Sequence, residues 1–197
     1  MTNFDRFAKS AYAVADLLDQ VGDWSGPGLG SWDIRALAGH TSRAVTTPVD
    51  YLRQGTTEAP RLDAIGYLAA ATSLDPAIHA GVAARGVEAG EALGPEPAAR
   101  FRQLVDDACA TLADAGNPAL PTIVGPMHLD DYLATRIFEL VIHGSDLEAA
   151  TGIPIDMPPE AVTQVAVLAV SVAAARHRGL TAARALTGRD GSPFSIF

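Results

Sequence analysis

The feature that most constrains the fold of this chain is a line of ionisable residues inside an otherwise apolar segment. Within residues 134–146, the ionisable side chains are those of Arg136, Glu139, His143 and Asp146. They are three, four and three residues apart, the spacing that places side chains on one face of an α-helix. Large apolar residues border this line on both sides, so the segment predicts a helix whose polar line points into the protein. The bordering residues are Phe138 and Ile142 on one side and Leu133, Leu140 and Leu147 on the other.

Two residues of this line indicate a metal site. Glu139 and His143 are four residues apart, and a carboxylate that faces the interior needs a partner for its charge. A divalent cation is such a partner, because it favours the ionised carboxylate and the neutral imidazole. The alternative is that Arg136 pairs with Glu139 while His143 makes a hydrogen bond in the core. The pair alone leaves both interpretations open.

His40 is the third candidate ligand. It ends the segment "SWDIRALAGH" and lies at the edge of the apolar face of a second predicted helix, for which Ser31 is the expected N-cap. An isolated histidine in that position is more often structural than a ligand. Facing helices of a bundle, however, build metal sites from inward-pointing imidazoles and carboxylates. We therefore hypothesise a site of two histidines and one carboxylate, a set that suits Zn²⁺ and also Ni²⁺ or Fe²⁺.

Composition limits the possible partners and the compartment. The 197 residues are 48% hydrophobic and carry a formal net charge of −9, which argues against nucleic acid or an anionic membrane as a main partner. Cys109 is the only cysteine, which excludes an internal disulfide, and we interpret it as a packing residue. The first residues lack the apolar core of a signal peptide, and no long apolar run indicates a membrane span. We expect a cytoplasmic protein.

The hydrophobic pattern predicts an all-α fold in a single domain, residues 1–197. Apolar residues recur at helical spacing, and Gly and Pro divide the chain into helices. The pattern suits an up-and-down four-helix bundle with short extra helices. Residues 117–127 are expected to be extended, and the tail from about residue 187 irregular. The predicted helices span about residues 3–21, 31–52, 62–93 with a restart at Pro76, 96–115, 129–150 and 159–177.

Two segments carry a resemblance to a known family. "SWDIRALAGH" and, about a hundred residues later, "YLATRIFELVIHGSDLEAATG" resemble the paired signatures of the DinB-like metal-binding bundles. The resemblance is to the branch of the mycothiol-dependent maleylpyruvate isomerase N-terminal domain, and it covers roughly residues 5–190. It implies a DinB-like bundle that holds a divalent metal, usually zinc, through His40, Glu139 and His143.

The resemblance also implies a chemistry. Mycothiol, a small thiol of actinobacteria, is the implied cosubstrate, and a metal would hold it as the thiolate. The thiolate would attack a small electrophile, and the enzyme would be a thiol S-transferase or an isomerase. Isomerases of this branch carry a further C-terminal domain, for which the chain has no room after Phe197. We therefore expect a stand-alone thiol transferase rather than maleylpyruvate isomerisation.

Other roles stay open from the sequence. Asp146 either orients an imidazole or forms a structural ion pair with Arg136 or Arg43 within the bundle. Arg136 either forms an ion pair with Glu139 or Asp146 or holds a substrate carboxylate. His128 is a further candidate for the mouth of the site. The apolar last helix makes a homodimer possible, and the alternative to an enzyme is a non-catalytic bundle that binds a metal or a ligand.

Overall fold

The chain folds into eight helices and two short strands over the residues that the computed structural model describes, 1–56, 58–71 and 76–189. The predicted all-α, DinB-like bundle is thereby confirmed. The helices are α1 (Asn3–Leu18), α2 (Ile34–Gln54), α3 (Ala64–Ala71), α4 (Pro76–Ala92), α5 (Pro97–Leu112), α6 (Leu129–Thr151), α7 (Pro159–Ala175) and α8 (Gly179–Leu186). The strands are β1 (Ala119–Pro121) and β2 (Pro126–His128).

Local hydrogen bonds determine where the main helices begin and end. The side chain of Thr2 accepts from the Asp5 amide while the Asp5 carboxylate accepts from the Thr2 amide, which is a capping box for α1. The cap of α2 is Asp33, whose carboxylate accepts from the Ala36 amide, so the prediction of Ser31 as the cap was wrong. Helix α6 ends at Gly152, whose φ of 70° is readily adopted by glycine.

Four helices form the bundle proper, in which α1 and α2 each pack against both α5 and α6. Helices α2 and α6 run in opposite directions, because the Tyr132 hydroxyl donates to Thr47 Oγ1 at 2.9 Å while Glu139 lies near His40. The core between these helices is apolar and buried. Its largest members include Phe7, Leu17, Leu18, Leu37, Phe101, Ile137, Leu140 and Leu147.

Helix α4 packs closely on α2 outside the bundle. A Cβ atom on Gly39 would lie 2.1 Å from the backbone nitrogen of Gly90, and one on Gly90 would lie 2.8 Å from the Arg35 carbonyl oxygen. Only glycine at both positions permits this approach, because the neighbouring atoms are backbone atoms that cannot rotate away. The glycine at position 90 of α4 is therefore a packing requirement.

The remaining elements refine the sequence-based picture. The segment predicted as extended forms a small antiparallel sheet in which Leu120 pairs with Met127, and both side chains are buried. Helix α8 was not predicted, and it packs against α7. Most of the tail expected to be irregular lies outside the described residues. Within the described ranges, no helix has both the length and the apolar character required to span a membrane.

The contact between α2 and α4 gives a stability prediction. We expect Gly39→Ala to lower the free energy of unfolding by at least about 2 kcal/mol, since the new methyl group meets backbone atoms. The matched control is Gly22→Ala, because a Cβ at Gly22 would meet nothing within 4 Å. Urea denaturation followed by circular dichroism measures both. Equal stability of the two variants would contradict the close packing.

Candidate metal centre

His40 is positioned by its helix and by an indole ring. The cap of α2 places His40 in the second turn of the helix, beside the buried residues Ala38 and Thr41. The ring of Trp32 lies against His40, with centroids 4.7 Å apart and planes inclined by 32°. Trp32 in turn donates from Nε1 to the carbonyl oxygen of Ala83 in α4 at 3.0 Å. The imidazole is thus held between its own helix and a side chain anchored to α4.

Glu139 and His143 face His40 from α6. His143 Nε2 lies 3.2 Å from Glu139 Oε2, and His40 Nε2 lies 4.0 Å from the same oxygen. The rings of the two histidines meet edge to face, with centroids 4.7 Å apart. The structure therefore brings together all three predicted ligands, with one ligand atom of each within 4.8 Å of those of the others.

The arrangement fits a small divalent cation. Bonds of about 2.0–2.1 Å to a tetrahedral zinc ion put the ligand atoms roughly 3.3 Å apart, close to the separation of His143 and Glu139. His40 Nδ1 is buried and, within the described part of the chain, has no hydrogen-bond partner. His40 Nε2, the ring nitrogen that faces Glu139, also makes no hydrogen bond to a described residue, so it is available to a metal. The three side chains are 15–27% exposed, so a small molecule can reach them.

Asp146 contacts His143 rather than an arginine. Its Oδ2 lies 3.0 Å from His143 Nδ1, on the side of the ring opposite Glu139. Of the two predicted partners, an imidazole or an arginine, the structure therefore places the imidazole beside Asp146. A carboxylate on one ring nitrogen fixes the tautomer and leaves the other nitrogen available to a metal, an arrangement that recurs in metal sites.

The charges of the cluster follow from these contacts. Burial lowers the pKa of His40 to about 4, and the charge of His143 acts in the same direction. Burial raises the pKa of Glu139, but the hydrogen bond from His143 and the charge of Arg136 outweigh burial and lower the pKa to about 2. Burial lowers the pKa of His143, but its hydrogen bonds to Asp146 and Glu139 prevail and raise the pKa to about 9. Without a metal at neutral pH, His143 is therefore an imidazolium between two carboxylates, while His40 is neutral.

Arg136 does not form the ion pair that the sequence suggested. No carboxylate of the described residues lies within ion-pair distance of its guanidinium group, which is 9% exposed. Its Cζ instead lies 4.7 Å from the ring centroid of Tyr132 and 5.8 Å from that of Tyr67. Its Nε donates to Thr135 Oγ1 at 3.1 Å. Arg136 therefore makes cation–π contacts where the sequence predicted a salt bridge.

The contacts of the aromatic residues around the site were not predicted from the sequence. Tyr132 is four residues before Arg136 on one helix, and this spacing was a usable signal for their contact. Trp32 precedes the first residue of α2, so helical periodicity could not place it over His40. The candidate His128 is exposed at the start of α6, contacts the Asn117 carbonyl oxygen through Nδ1 and is not part of the cluster of His40, Glu139 and His143.

Comparison with known families agrees with this geometry. A sequence model of the mycothiol maleylpyruvate isomerase N-terminal domain matches residues 7–148. The chain belongs to this family. The matched range contains every residue of the cluster, from His40 to Asp146, and it confirms the resemblance carried by the two sequence segments. The family name also connects the domain with mycothiol, a small thiol. No curated protein and no solved structure matches the chain.

The contact between Asp146 and His143 gives a pH prediction for the metal-free protein. NMR of the ring protons should show His143 titrating near pH 9, with the midpoint falling below about 8 in Asp146→Asn because a charged acceptor is lost. The His143 pKa lies above the unfolded value of about 6.5. Its contribution to stability is therefore complete below pH 6.5 and is lost as the pH rises through 9. Asp156→Asn, an exposed substitution, is the control, and a wild-type midpoint near 6.5 would contradict the assignment.

Proposed function

We propose that this protein is a divalent-metal-dependent enzyme that activates mycothiol, or a similar small thiol, for reaction with a small electrophile. The observation that carries the proposal is the meeting of His40, Glu139 and His143 across the contact between α2 and α6. The membership of the mycothiol maleylpyruvate isomerase N-terminal domain family supports the choice of thiol. Zn²⁺ is the preferred metal, and Ni²⁺ or Fe²⁺ would accept the same ligands.

The chemistry that a bound metal supplies suits a thiol. A divalent ion with three protein ligands keeps a position open and lowers the pKa of a thiol bound there, so that the thiol is ionised at neutral pH. The protein does not offer a comparable thiol of its own, because burial and the charge of Asp106 raise the pKa of Cys109, the only cysteine. The nucleophile is therefore a thiol from solution.

Each residue of the site has a separate role in holding the metal. Glu139 contributes the negative charge and His40 a neutral imidazole. Asp146 keeps the Nδ1–H of His143 directed away from the cluster, so that Nε2 points to Glu139. Trp32 packs against the ring of His40.

The reaction has two forms that share a first step. The thiolate sulfur forms a bond to an electrophilic carbon, and the electron pair moves to a leaving group or into a conjugated carbonyl group. In S-transfer the thioether is the product. In isomerisation the adduct rotates about the former double bond and expels the thiolate again, so that no atom is gained or lost. A stable thioether product is therefore expected of S-transfer and not of isomerisation.

The proposal is tested by metal content and turnover in the same samples. Untagged wild type, loaded with Zn²⁺, should hold about one metal ion and conjugate mycothiol with an aryl halide, as measured by chloride release. His40→Ala and Glu139→Gln should no longer bind the metal, and their rate of turnover should fall by at least about a hundredfold. Asp146→Asn should keep the fold and lose roughly tenfold, because it acts through His143.

His128→Ala is the matched control, since this histidine is exposed and outside the cluster. It should keep both the metal and the rate. Full metal content in the His40 and Glu139 variants would overturn the ligand assignment. Stoichiometric metal in the wild type without turnover of any thiol and electrophile would favour the non-catalytic, ligand-binding bundle.

A further inference from the structure

Arg136 is a buried residue whose two terminal nitrogens make no hydrogen bond within the described part of the chain. Its Nε donates to Thr135 Oγ1, but neither terminal nitrogen makes a hydrogen bond to a described residue. The guanidinium group has five N–H donors, and its terminal nitrogens are not among the fully buried side-chain atoms without a partner, so they are accessible to a ligand. A buried arginine in an ordinary core is paired with a carboxylate. The nearest candidate, Glu139, is instead engaged by His143.

A cage of tyrosines holds Arg136 in place. The guanidinium carbon lies over the rings of Tyr132 and Tyr67, and the ring of Tyr51 meets that of Tyr132 at 5.4 Å. Tyr132 is itself anchored by the 2.9 Å hydrogen bond from its hydroxyl to Thr47. Contact with ring faces stabilises the charge and uses none of the in-plane donors of the guanidinium group. The cage therefore presents a fixed set of donors.

A second arginine shares this part of the contact between α2 and α6. Along α6, Arg136 lies between Tyr132, which contacts Thr47, and Glu139, which faces His40. Along α2, Arg43 lies in the corresponding interval, three residues after His40 and four before Thr47. The charges of both arginines act on His40 and Tyr51, and the described residues offer neither arginine an ion pair. Two such cations stand out in a chain with a net charge of −9.

We propose that Arg136 and Arg43 form a binding subsite for a carboxylate group of the electrophilic substrate. A carboxylate presents two oxygens in the plane that a guanidinium group recognises, and it would neutralise the two neighbouring positive charges. Because three residues of helix separate Arg136 from Glu139, the carboxylate would bind about 4.5 Å along the helix from the cluster. The reacting carbon is then two or three bonds from the carboxylate. This assignment of the ligand as a substrate rests on the proposed function, whereas the anion subsite itself does not.

The test compares two three-carbon probes that differ in charge, propionate and propionamide. Titration of the full-length protein without added metal, followed by ligand-observed NMR, avoids carboxylate binding to zinc. Propionate should bind wild type about tenfold more tightly than propionamide, the preference expected of charge-assisted hydrogen bonds. Arg136→Gln should abolish the preference, and Arg136→Lys should reduce it, because lysine keeps the charge and loses the paired donors.

A second arginine variant and a control variant complete the test. Arg43→Gln, at a half-buried position, should weaken propionate binding several-fold, and it carries the test if Arg136→Gln does not fold. Arg53→Gln, on an exposed position near the end of α2, should change nothing. Equal binding of the two probes to wild type, or an unchanged preference in Arg43→Gln, would overturn the subsite. A failed turnover assay with the propionate preference intact would overturn the proposed function alone.

Discussion

The negative charge of Glu139 is the constraint on which the centre of this molecule depends. A carboxylate placed between two bundle helices is stable only if opposite charges and donors surround it. His143 donates to it from the same helix, Arg136 provides a positive field one turn away, and His40 faces it from α2. The polar line of α6 is therefore a connected set of compensating charges, and the apolar residues on both sides of it hold the bundle together.

The environment of His40 depends on a close backbone contact between α2 and α4. The close approach at Gly39 and Gly90 brings α4 against α2, so that the Ala83 carbonyl oxygen reaches the indole of Trp32. Trp32 then lies over the imidazole of His40. A steric property of two glycines is in this way transmitted to the orientation of a candidate metal ligand, which connects the satellite helix to the chemistry of the site.

The sequence predicted the bundle and the grouping of His40, Glu139 and His143, because both depend on helical periodicity. The spacing of Glu139, His143 and Asp146 along one helix required no knowledge of the fold, and His40 joined them because it lies on the edge of a second apolar face. The predicted ion pair of Arg136 was wrong. Its contact with Tyr67 depends on how α3 and α6 pack and not on spacing alone. The role of Trp32, the cap at Asp33 and helix α8 were missed for a related reason. Each is determined by tertiary contacts or by a turn outside the periodic segments.

Anomalous X-ray scattering from crystals of the zinc-loaded protein tests the central claim most directly. Data collected on both sides of the zinc absorption edge locate the ion without reference to activity. We expect one strong peak within bonding distance, about 2.0–2.2 Å, of His40, Glu139 and His143, with Asp146 still bound to His143 Nδ1. A fully loaded crystal with no zinc peak between α2 and α6, or with the peak on other residues, would contradict the account.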